Sequence, residues 1–192
     1  MSLRNSDRRI RPRRVEYLVI ECVSPALDGG RYPVKRIVND TVWVGADIIG
    51  NSHDQLAARV IHKGPGDAQW ITSPMEYDAD SDRWYGAFTV DRIGRWAFSV
   101  EAWTDRFTTW RSDLQKKIAA DQDIAVELME GAEVARAASR SAKSPAARAS
   151  LLMTAKVLED RRDGLVEKRV QRALDDDFLE LMRTARCVCA PQ

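Results

Sequence analysis

The chain of 192 residues carries 30 basic and 29 acidic side chains, a formal net charge of +1, with 44% hydrophobic and 31% charged residues. That balance suits one large or two small soluble domains able to bury a core. It excludes the long-range field that would draw a polyanion or an anionic membrane, so no nucleic acid and no membrane is expected as partner. No apolar run reaches the ~20 residues of a membrane span, and no signal-peptide core follows the first arginines.

In chain order, residues 1–14 hold six arginines against the single acid Asp7, which reads as a basic disordered arm. Residues 15–108 then alternate as strands do. The runs are 15–20, 41–49 with Val42, Val44, Ala46 and Ile48 on one face, 56–63 with Leu56, Ala58 and Val60, 83–90 with Trp84, Phe88 and Val90, and 94–103 with Trp96, Phe98, Val100 and Ala102. Turn signals at 28–30, 39–40, 50–52, 64–67 and 91–94 separate them. The short "DRIG" at 91–94 predicts that the last two strands pair as a hairpin. About seven short strands with inward apolar faces predict an immunoglobulin-like antiparallel β-sandwich.

From about Thr109 the period changes to 3.6. Leu114 and Ile118 begin one helix, and 123–138 gives a second with Asp123 as cap. Ser144 and Pro145 open a third containing Leu151, Leu152, Ala155 and Leu158. Val166, Val170, Leu174 and Phe178 continue the stripe. The fold class is therefore α+β in two modules, a sandwich at 15–108 followed by a bundle-like helical module at 109–184, with an atypical tail at 185–192. The stripes imply that these helices pack on one another or on a partner, and Leu151, Leu158, Val166, Val170 and Phe178 are candidate dimer-face positions.

Candidate chemistry is sparse. Ser52, His53 and Asp54 are adjacent, whereas triad partners converge from separate elements. A polar turn explains them, and His62 reads as a rim residue. Glu127 and Glu130 share a helix face but lack an evident cleft, so they read as solvated acids. Asp175, Asp176 and Asp177 read as a helix start, and Gly29–Gly30 as a turn rather than a phosphate loop. The three cysteines are odd in number. Cys187 and Cys189 have no second pair for zinc, so no metal and no cofactor is expected, and a reducing cytoplasmic setting fits. Six tryptophans remain. Trp43 and Trp103 have the opposite parity to their strands' apolar faces, which makes them candidate sugar-stacking rings or a docking face. Trp103, Phe107 and Trp110 straddle the change of period and are expected to form the seam between modules, each ring contributing about 2–3 kcal/mol if well covered.

The runs "VSPALDGGRYPVKRIVNDTVWVGADI", "HDQLAARV", "DRWYGAFTVDRIGRWAFSVEAWTDRFTTWRSDLQKK" and "DQDIAVELMEGA", in this order and spacing, resemble the amino-terminal region of the bacterial alpha-1,4-glucan:maltose-1-phosphate maltosyltransferases, of the alpha-amylase-type glycoside hydrolase class. The resemblance covers roughly residues 15–182. It implies a homodimer in which the sandwich and its helical insert are non-catalytic scaffold. Maltosyl transfer from maltose 1-phosphate to alpha-glucan would then run in a later (β/α)8 barrel of ~250 residues, through a retaining pair of carboxylates. On that reading no catalytic, donor-binding or cofactor residue falls within this sequence, and the chain alone is expected to be inactive. A stand-alone glucan-binding module using exposed tryptophans is the alternative. The chain departs from the family at Asn51–Ser52, where Asp-Gly is usual, at Ile49, often aromatic, and at "RTARCVCAPQ", where the family returns to the sandwich.

Overall fold

A computed structural model describes residues 17–51, 54–162 and 164–186. The basic arm, Ser52, His53, Cys187 and Cys189 lie outside them. Six strands come first: β1 (Val19–Ser24), β2 (Thr41–Ile49), β3 (Leu56–Lys63), β4 (Ile71–Asp78), β5 (Arg83–Thr89) and β6 (Ala97–Thr104). All pair antiparallel in one sheet, in the order β1-β2-β5-β4-β3-β6. The sheet curls until β1 and β6 face each other across a groove, so it is nearly closed as a barrel.

Strict alternation builds its interior. Val42, Val44, Ala46, Ala58, Val60, Met75, Phe88, Val90 and Val100 form one buried cluster, with Trp84, Trp96, Phe98 and Ala102 packed against it. β4, absent from the periodicity reading, hides its pattern because Met75 alone of its side chains is buried. Pro74 sits where pairing passes from β3 to β5, whose register begins at Met75. A proline tolerates such a break in the ladder.

The expected hairpin between the last two strands does not form. Among the described residues β5 pairs with β2 and β4, and β6 pairs with β3 alone. The 91–96 segment is pinned to the opposite turn instead. Arg92 Nε donates to Pro65 O at 2.9 Å, its guanidinium pairs with Asp67, and it lies 5.1 Å over the Trp96 ring. The chain thus crosses the barrel end, and the aromatics meet through the interior rather than along a ladder. Phe88 stacks on Trp96 at 6.1 Å and on His62 at 4.5 Å, nearly parallel. His62 is therefore not a rim residue but is buried in the core.

Five helices follow: α1 (Arg106–Ala119), α2 (Ala125–Ser141), α3 (Pro145–Glu159), α4 (Val166–Ala173) and α5 (Asp176–Arg186). Asp105 caps α1 by accepting from Thr108 N–H at 2.7 Å, and Ser144 caps α3 through Ala147 N–H at 3.0 Å, with Pro145 in the first turn. Such caps satisfy donors that a helix start leaves open. In α2 the cap position falls on Ile124, which makes no side-chain cap bond, so Asp123 is not the cap; it lies one residue earlier and accepts from Ala125 N–H at 3.0 Å.

A second, separate core closes these helices. Phe107, Trp110 and Leu114 of α1 meet Leu128, Ala132 and Ala135 of α2, Leu151, Ala155 and Leu158 of α3, and Phe178 and Met182 of α5. Phe178 stands edge-on to Phe107 at 5.0 Å and to Trp110 at 6.4 Å. Gly131 lets α2 approach the Trp110 ring, because a methyl there would overlap Cζ2. Three candidates for a dimer face are thus internal: Leu151, Leu158 and Phe178 are completely buried. The stripe closes on neighbouring helices of the same chain, which satisfies the apolar period without a second copy. Val166 is exposed and Val170 partly buried.

Phe178→Ala is expected to destabilise the chain by about 3–5 kcal/mol, because the ring fills space shared by α1 and α2. Val166→Ala should change stability by less than about 0.5 kcal/mol. Urea unfolding followed by far-UV circular dichroism reads both.

Candidate functional site

The junction between sheet and helices is polar. After β6, Asp105 N–H donates to Gln55 O at 2.6 Å, and Gln55 N–H donates to Thr109 Oγ1 at 2.8 Å. The same hydroxyl donates to Asp105 O at 2.8 Å. Of the three residues expected at the seam, Phe107 and Trp110 turn into the helical core, where Trp110 Nε1 donates to Glu127 O at 2.6 Å. Trp103 stays on the outer face of β6. An α-helical phase starting at Arg106 accounts for this separation, because it puts 107, 110 and 114 on one side, towards α2 and α5.

The two outward tryptophans have different surroundings. Trp103, half-buried, sits under the Arg59 guanidinium at 5.6 Å, and Arg59 in turn pairs with Glu101 at 2.7 Å. One ring face is thereby occupied by a cation. Trp43 is 68% exposed. It faces Ala87 on β5, while Gly45, two residues on, faces Tyr85. Tyr85 lies across Gly45, where a methyl would come within 3.1 Å of its ring. Glu76 of β4 pairs with Tyr85 on the same outer face. Trp43, Tyr85 and Glu76 border a shallow hollow of about 580 Å³, also lined by Pro74, Asp78 and Ala87. Parity identifies Trp43, but Tyr85 and Glu76 needed the register of three strands.

The acidic candidates are structural. Glu127 is buried and ion-paired to Lys117, whose pKa is raised by that hydrogen bond, while Glu130 points to solvent. Asp177 N–H and Leu179 N–H bond to Asp175 as α5 begins. Asp160 is held down to about 2 by hydrogen bonds from Arg162. Among the described residues no group of three His, Cys, Asp or Glu could hold a metal ion, and no helix is long and apolar enough to cross a membrane.

These features define a class: a sheet domain with a helical appendage, each closed around its own core. The chain belongs to the family described as alpha-1,4-glucan:maltose-1-phosphate maltosyltransferase, domain N/S, whose profile matches residues 16–187. It is 41% identical over 139 residues to the alpha-1,4-glucan:maltose-1-phosphate maltosyltransferase of Myxococcus xanthus, covering 69% of this chain and 21% of that protein. For the Chlorobaculum tepidum enzyme the figures are 39% over 126 residues, 66% and 19%. For that of Cereibacter sphaeroides they are 33% over 175 residues, 91% and 25%. The chain thus spans about a fifth to a quarter of the length of these relatives, and the resemblance read from the sequence holds for their amino-terminal region.

Burial lowers the pKa of His62 below its ordinary 6.5, with Asp67 opposing. The folded state favours the neutral ring, so its contribution to stability is present above pH 6.5 and is lost as pH falls through the lowered value. The melting temperature should drop between about pH 7 and pH 5. His62→Phe, which keeps a ring against Phe88, should flatten that slope in differential scanning calorimetry.

Proposed function

We propose that this chain serves as a non-catalytic scaffold in a maltosyltransferase that elongates alpha-1,4-glucans from maltose 1-phosphate, and that its role is homodimerisation. The observation that carries the reading is the family match over residues 16–187, which spans both cores and the junction between them. Among the described residues the strands are antiparallel and precede the helices. That arrangement is not the alternating parallel barrel in which retaining two-carboxylate chemistry would be housed. Exposed Val126, Met153 and Val166 on the helical module supply apolar surface for a second copy to cover.

Within this reading the sheet is an immunoglobulin-like sandwich, β1-β2-β5 packing against β3-β6 with β4 bridging them. The order supports it, because consecutive β5 and β6 lie on opposite sides of the core, as Greek-key connections require. The setting proposed is cytoplasmic, with no cofactor. A second reading, glucan binding by the sheet itself, is favoured by the 68% exposure of Trp43.

Sedimentation velocity of the chain is expected to show a concentration-dependent dimer. A folded monomer at every concentration would sink the scaffold reading. No phosphate release is expected when the chain alone is given maltose 1-phosphate and glycogen.

A further inference from the structure

We infer that the outer face of β2, β5 and β4 is a binding site for a neutral α-glucan chain, with Trp43 and Tyr85 as stacking rings and Glu76 as the hydroxyl acceptor. Trp43 stands on β2 two residue pairs along the ladder from Tyr85 on β5, since Trp43 faces Ala87 and Gly45 faces Tyr85. The two rings are therefore diagonal neighbours, about 7–8 Å apart between Cα atoms. That spacing suits two successive sugar units. The residues beside them in the ladder, Gly45 and Ala87, are small, so nothing rises between the rings.

The chemistry of the rim selects the ligand. Flat aromatic faces attract the C–H faces of pyranose rings, and carboxylates accept hydrogen bonds from their hydroxyls. The Glu76 carboxylate enters no ion pair or hydrogen bond among the described residues, and the residue pairs with Tyr85 on the outer face. The neighbouring Asp78 is already engaged by Ser81 Oγ at 2.6 Å and by Asp80 N–H at 3.2 Å. No lysine or arginine lines the hollow among the described residues, which disfavours phosphorylated sugars and leaves uncharged glucan. Trp103 is set apart by Arg59 on its ring, and Trp70, although 48% exposed, lies before β4 and away from this hollow.

The choice of α-glucan among neutral polysaccharides rests on the maltosyltransferase reading, whereas the stacking geometry does not. Native gel electrophoresis of the full chain through glycogen is the test. The wild type should be retarded. Trp43→Ala should weaken retardation about tenfold and Tyr85→Ala about threefold, while Trp70→Ala should stay within about twofold. An unretarded wild type, or equal loss with Trp70→Ala, overturns the site. Sedimentation of the same variants separates this from the scaffold reading. A Trp43→Ala chain whose dimer dissociates would assign the face to chain–chain contact and overturn glucan binding, whereas a monomeric wild type still retarded by glycogen would remove only the scaffold.

Discussion

The organisation rests on how Asp105 ends the sheet and starts the helices. Its N–H is taken by Gln55 O, its side chain caps α1, and Thr109 Oγ1 both accepts from Gln55 N–H and donates to Asp105 O. Each such bond contributes about 1 kcal/mol net. Together they fix where helical phase begins, and that phase decides which of the following aromatics go inward. The two hydrophobic clusters share no residue. The junction therefore works through backbone geometry rather than through a common apolar filling, and this is why aromatic residues close together in sequence ended in different environments.

Aromatic residues at the boundary were legible as important, but their partners were not. Parity placed Trp84, Trp96, Phe98 and Val100 on the inner face, and the structure packs all four there. The same logic put Trp43 outside. A period change near residue 109 located the helices, although α1 begins at Arg106. The hairpin failed for a reason absent from local sequence. The "DRIG" loop has the length for a turn, but Arg92 reaches 27 residues back to Pro65 O, which redirects the chain across the barrel end. β4 escaped notice because Ile71 and Tyr77 are exposed and Pro74 interrupts its alternation. The apolar stripe on α3 and α5 was correctly read as buried surface, but period alone cannot say whether a neighbouring helix or another chain covers it.

His62 shows what an alternating pattern conceals. It has the parity of Ala58 and Val60, so its position was inward by rule, yet its polarity suggested a rim. Stacking on Phe88 and Trp96 compensates part of the cost of burial, and Nε2 approaches Ser73 Oγ at 3.5 Å. Nδ1 has no hydrogen-bond partner among the described residues. A buried polar atom without a partner costs on the order of 1–3 kcal/mol, so the neutral ring must be held chiefly by its aromatic neighbours.

One stretch of ladder governs both faces of the sheet. Val44 pairs with Gly86 and Gly45 with Tyr85, so two glycines sit at adjacent pairs on opposite strands. A methyl on Gly86 would press into Met75 Cγ at 2.8 Å and Val60 Cγ2 at 2.9 Å, on the interior side. A methyl on Gly45 would meet the Tyr85 ring on the exterior side. Side chains alternate along a strand, so the interior glycine allows the sheet to curl tightly while the exterior one leaves room for the Tyr85 ring across Gly45. Tight curvature and a flat aromatic face are usually in conflict, since curling splays side chains on the convex side apart. Removing the Cβ at both neighbouring pairs relieves that conflict, and it does so where the exposed tryptophan stands.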